Sequence, residues 1–98
     1  PSQFKLFSVY PNPFNPSTTI RFNIQVETQH VGNPAVSGAS SLQIFDITGR
    51  VAETLVNEKL LVGEHEIIWN ASRFSSGIYF VRLESNGFRE TKKIVLVK

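Results

Sequence analysis

The segment TTIRFNIQVE, residues 18–27, decides the fold. Ile20, Phe22, Ile24 and Val26 share one side of an extended chain, and Arg21, Asn23, Gln25 and Glu27 share the other. This is the alternation of a strand with one face in a core and one in water. On its C-terminal side, SLQIFDITGR (41–50) reads as a second strand that places Leu42 and Ile44 in the core. It closes on Asp46-Ile-Thr-Gly49, where an aspartate can cap a turn and a glycine can take positive φ. The chain then returns through RVAETLVNEKL (50–60) as a hairpin.

Beyond Gly63, the segment EHEIIWN (64–70) sets His65, Ile67 and Trp69 against Glu66, Ile68 and Asn70. GIYFVRLESNG (77–87) alternates Tyr79, Val81 and Leu83 with Ile78, Phe80 and Arg82, and its Asn86-Gly87 is a favoured hairpin turn. In FRETKKIVLVK (88–98), Ile94 and Leu96 oppose Val95 and Val97. Such a strand, apolar on both sides, is expected inside a sheet or against a partner. With a weaker first strand at FKLFSVY (4–10), the tally is about seven short strands. The expected fold is all-β, an immunoglobulin-like antiparallel β-sandwich of about seven strands without a disulfide.

On the N-terminal side, YPNPFNPST (10–18) concentrates Pro11, Pro13 and Pro16 just before the deciding strand. Proline fixes φ and drives the preceding residue toward extended conformations. The stretch is therefore read as a stiff crossover between sheets, with Phe14 dipping into the core. TQHVGNPAVSGAS (28–40) is polar, rich in small residues and broken by Gly32, Pro34 and Gly38, and is read as an extended mobile loop.

Length and composition bound the function. Ninety-eight residues at 41% hydrophobic content make a single domain, 1–98. The chain has neither cysteine nor methionine, which removes disulfides and zinc–thiolate sites, and it reads as a piece excised from a larger secreted protein. No stretch is long and apolar enough for a membrane span, and a net charge of +2 makes no case for nucleic acid.

Asp46 is the single aspartate, too few carboxylates for a calcium loop, so no metal or other cofactor is expected. His30 and His65 lie far apart with no third ligand in pattern; a solvated loop residue and a satisfied half-buried histidine are the expectations. The serines at 37, 40, 41, 72, 75 and 76 have no nucleophile-elbow surroundings and are read as turn residues. No catalytic residue is expected. Trp69 and Tyr79 fall on core faces, although a sugar-stacking platform is the alternative use of such a pair.

The last ten residues hold Arg89, Lys92, Lys93 and Lys98 against Glu90 alone. They are either lysines guarding an edge strand or a tag that a partner reads by strand pairing and charge.

Together, YPNPFNPSTTIRF (10–22), LQIFDITGRVAETLVNEKLLVGEHEIIWNAS (42–72) and SSGIYFVRLESNGFRETKKIVLVK (75–98) resemble the C-terminal sorting domains of the type IX (Por) secretion system. Three motifs carry the resemblance: PxP at Pro11-Asn12-Pro13, GxY at Gly77-Ile78-Tyr79, and KxxxL from Lys92, with Lys93 beside it, to Leu96. The resemblance implies a domain that escorts an N-terminal cargo of the same chain through the outer-membrane translocon of a Gram-negative bacterium. A sortase-like peptidase then commonly removes it, leaving the cargo secreted or held at the cell surface. The competing classes are a carbohydrate-binding or adhesion module, and a structural spacer, of a secreted glycoside hydrolase.

Overall fold

The computed structural model describes residues 8–24, 36–85 and 88–98, with backbone only at 36–39 and 88. Among the described residues run seven strands: β1 (Ser8–Tyr10), β2 (Ser17–Ile24), β3 (Val36–Asp46), β4 (Val51–Leu61), β5 (Gly63–Asn70), β6 (Gly77–Ser85) and β7 (Phe88–Leu96). They form two antiparallel sheets, β1-β2-β5 and β4-β3-β6-β7. This is the expected immunoglobulin-like sandwich, with β4 paired to β3 in the second sheet and not to β5.

The deciding strand behaves as its alternation dictates. Ile20, Phe22 and Ile24 are buried and Arg21 is exposed. Facing them from the second sheet are Leu42, Ile44, Val81, Leu83, Ile94 and Leu96, all buried. Burying a side chain of this kind is worth about 1.5–3 kcal/mol, and this core does so with no crosslink. Val81 stands two residues after Tyr79, where antibody domains carry the second disulfide cysteine, and it is completely buried.

The hairpin from β3 to β4 is built by Asp46. Its Oδ1 accepts from the Thr48 hydroxyl at 2.6 Å, the Thr48 N–H at 2.9 Å and the Arg50 N–H at 3.1 Å. These bonds favour the ionised carboxylate. The Thr48 hydroxyl, followed by the Arg50 N–H, holds Asp46 below the usual carboxylate range. Gly49 has φ of +90°, which a side chain would strain.

Four expectations are corrected. The 28–40 loop is too long: Val36–Ser40 belong to β3, pairing with β4 and, at Ser40, with Ser85 of β6. Ser40 and Ser41 are consequently strand residues, and the buried Ser40 and Ser85 hydroxyls satisfy each other at 2.9 Å. Strand β7, expected inside a sheet or against a partner, is not inside: it lies at the edge of the four-stranded sheet, as the edge-strand reading of its lysines has it. The proline-rich stretch joins β1 and β2, neighbours in one sheet, and so is not a crossover between sheets. The first strand is Ser8–Tyr10; the rest of that expectation, with His30 and the Asn86-Gly87 turn, lies outside the described residues.

Candidate functional site: three motif segments at one end of the sandwich

The PxP segment lies along the outer edge of β7. The Asn12 side chain imitates a neighbouring strand: its Nδ2 donates to Lys93 O at 3.2 Å, and its Oδ1 accepts from Val95 N–H at 3.0 Å. Phe14 continues the pairing with its backbone. Its N–H donates to Val95 O and its carbonyl accepts from Val97 N–H, both at 2.9 Å, in a parallel bridge to Leu96. An edge that would otherwise offer unpaired peptide groups is thereby covered from Lys93 to Val97. Thr18, buried at the start of β2, anchors the segment from behind by donating its hydroxyl to Pro11 O at 2.7 Å.

Phe14 is buried beneath this cover, its ring 5.6 Å from that of Trp69. Trp69 is 1% exposed and also meets Phe74 at 5.6 Å and Tyr79 at 5.7 Å, the last edge-on. Its Nε1 donates to Glu53 Oε1 at 2.8 Å, so β4 secures the polar end of the indole. Aromatic contacts of this geometry add to simple area burial.

The GxY segment sits against the same cluster. Tyr79 donates its hydroxyl to Ser75 O at 2.8 Å, back into the connection between β5 and β6. This is the tyrosine corner of immunoglobulin-like domains, at the start of the corresponding strand. Gly77 pairs with Leu96 and has φ of +154°, and a Cβ added there would meet nothing within 4 Å; its backbone, not a lack of space, disfavours other residues. Lys98 closes the end, its N–H donating to Ser76 Oγ at 3.0 Å and its Nζ to Ser72 O at 2.7 Å.

The three motifs, remote in sequence, therefore meet at one end of the molecule. Pro11 and Pro13 are exposed on the segment that frames Asn12. Gly77 and Leu96 are register partners, and Tyr79 pairs with Ile94. Lys92 and Lys93 diverge: Lys92 alternates with Ile94 and Leu96 on the core side and is half-buried, whereas Lys93 is exposed on the outer face. The core residues Ile20, Phe22, Leu42, Ile44 and Trp69 back this end and extend away from it, each no more than 3% exposed. Sequence reasoning missed the contact of Asn12 with Lys93 and Val95, and no sequence signal links positions 83 residues apart.

His65 is half-buried, stacked on Phe22 with centroids 5.4 Å apart and its Nε2 2.7 Å from Leu61 O. Among the described residues no three His, Asp or Glu side chains gather into a possible metal site, and no helix is long and apolar enough to cross a membrane.

An immunoglobulin-like sandwich whose first connection covers the edge of its last strand is the class that the fold and this end define. The model of the secretion system C-terminal sorting domain matches residues 8–98, and the chain belongs to that family, the sorting domains of type IX secretion. The match spans the whole arrangement, from β1 to Lys98. No curated protein matches the chain. Membership makes the domain a sorting signal directed at the secretion machinery, with export toward the cell surface or medium.

Proposed function

We propose that residues 1–98 act as one non-catalytic domain that carries an N-terminal cargo through the outer-membrane translocon, after which a sortase-like peptidase frees the cargo or attaches it to the surface. The observation that carries this reading is the meeting of the PxP, GxY and KxxxL segments in one hydrogen-bonded and aromatic unit at one end of the sandwich. Pro11, Asn12, Pro13, Gly77, Tyr79 and Leu96 build the unit, and Lys92 and Lys93 are the charged positions beside it. Fold alone does not carry function, but a unit assembled from three separated motifs gives a partner a composite feature to read.

The sugar-binding alternative needs exposed coplanar aromatics, and the pair that could supply them, Trp69 and Tyr79, is 1% and 7% exposed. The test is a fluorescent reporter bearing a Sec signal, with and without this chain at its C-terminus, in a type IX-competent host. The tagged reporter is expected at the surface or in the medium and the untagged one in the periplasm. Equal distribution overturns the reading. Replacing the exposed Lys93 by glutamine is expected to lower export while shifting stability by less than about 0.5 kcal/mol; unchanged export confines that lysine to guarding an edge.

A further inference from the structure

The two outer faces of the sandwich differ in kind. On the three-stranded sheet Arg21, Asn23, Glu64, Glu66 and Asn70 point outward, with Arg21 paired to Glu66 at 2.7 Å, and the register sets the exposed Tyr10 and Ile68 on either side of Thr19. Apart from Tyr10 and Ile68 this face is polar, and its charges, Arg21 against Glu64 and Glu66, are not cationic, as suits a sheet face turned to water. On the four-stranded sheet the register instead sets Val51 beside Phe45, Phe45 beside Phe80, and Ile78 beside Val95. Val51 is 50% exposed and Val97, just beyond the end of β7, is 49% exposed. An apolar strip thus crosses all four strands.

Its charges are cationic. The Arg82 guanidinium stacks 4.3 Å above the Phe45 ring, and its Nε meets no acceptor among the described residues. Lys93 is exposed next to Phe80. Among the outward positions described on β3, β6 and β7, Glu84 is the one carboxylate, and Arg89 engages it at 3.1 Å. The neighbouring edge of β7 is already covered by Asn12 and Phe14 from Lys93 to Val97, so this end offers a partner a face and not that edge.

We propose that this face, Val51–Phe45–Phe80 with Ile78, Val95 and Val97, is the docking surface for a protein component of the secretion machinery whose contact patch combines apolar side chains with carboxylates; this rests on the sorting reading above. Apolar area supplies the attraction, and Arg82 and Lys93 select an acidic partner and disfavour a second copy of the same cationic face.

The test uses the reporter fusion with Lys93→Glu and Val97→Glu combined, and Ile68→Glu as the matched change on the opposite outer face, where Ile68 is 67% exposed. The double variant is expected to lose export by roughly tenfold or more, as for central contact residues, while melting within a few degrees of the parent. Ile68→Glu is expected to stay within about twofold of the parent on the same grounds. If the double variant unfolds the chain, Val51→Glu at the far end of the strip carries the same expectation.

Export equal to the parent, with the untagged reporter still retained, overturns the docking surface and leaves the sorting reading standing. A parent fusion exported no better than the untagged reporter removes the sorting reading first. Two further outcomes overturn the assignment to an acidic protein: a parent dimer in sedimentation that the double variant dissolves, or flotation of the purified chain with phosphatidylglycerol vesicles that the double variant abolishes.

Discussion

Replacing Asn12 by alanine removes both hydrogen bonds that tie the PxP segment to β7, one to Lys93 O and one from Val95 N–H. Each such bond contributes about 0.5–1.5 kcal/mol net, and because both are exposed the lower half of that range applies, giving about 1–2 kcal/mol together. For a domain of this length, that loss lowers the melting temperature by about 5–10 °C. Phe14 keeps its own backbone bonds and its buried ring, so the segment stays docked and the fold survives. Asn12→Asp retains the acceptor for Val95 and loses the donor to Lys93, and should fall between parent and alanine variant. Thermal unfolding of the three proteins gives the ranking, and amide exchange at Val95, whose N–H loses its acceptor, reports the same bond locally. An alanine variant melting within about 1 °C of the parent, with Val95 exchange unchanged, would refute the claim that Asn12 secures the strand edge.

Trp69→Ala empties the centre of the aromatic cluster and removes the indole donor to Glu53, and should cost about 3–5 kcal/mol in denaturant unfolding. Tyr79→Phe keeps the ring and removes the bond to Ser75 O, with an expected loss of about 1 kcal/mol by the same measurement. Asp46 has its folded-state pKa below the usual 3.8, so its stabilisation is present above that value and is lost as pH falls through the lowered one. Melting temperatures below about pH 4 should therefore drop less steeply for Asp46→Ala than for the parent, and equal slopes would show that the turn does not depend on the carboxylate.

Faces were legible in the sequence and neighbours were not. The period of two in 18–27 and 77–87 identified Ile20, Phe22, Val81 and Leu83 as inward because alternation is a local property of the chain. Val36–Ser40 escaped, since glycine, serine and alanine read as a loop; the partners β4 and β6, supplied from far along the chain, make them a strand. Strand β7 showed two apolar faces correctly, but whether its flank is another strand or a proline-rich connection depends on sheet order, which no periodicity encodes. The departures in register that leave Leu55 and Ala52 as extra residues on β4 are silent for the same reason. Of the candidate site, the motif residues could be named in advance. Their convergence at one end, and the divergence of Lys92 from Lys93, required the register.

The central claim is that this chain is a transport signal, and the most direct measurement places one fusion in two hosts. A reporter with a Sec signal and residues 1–98 at its C-terminus is expressed in a type IX-competent strain and in the same strain with its translocon inactivated. The account predicts surface or medium localisation in the first and periplasmic accumulation of folded fusion in the second. The same distribution in both strains would contradict it.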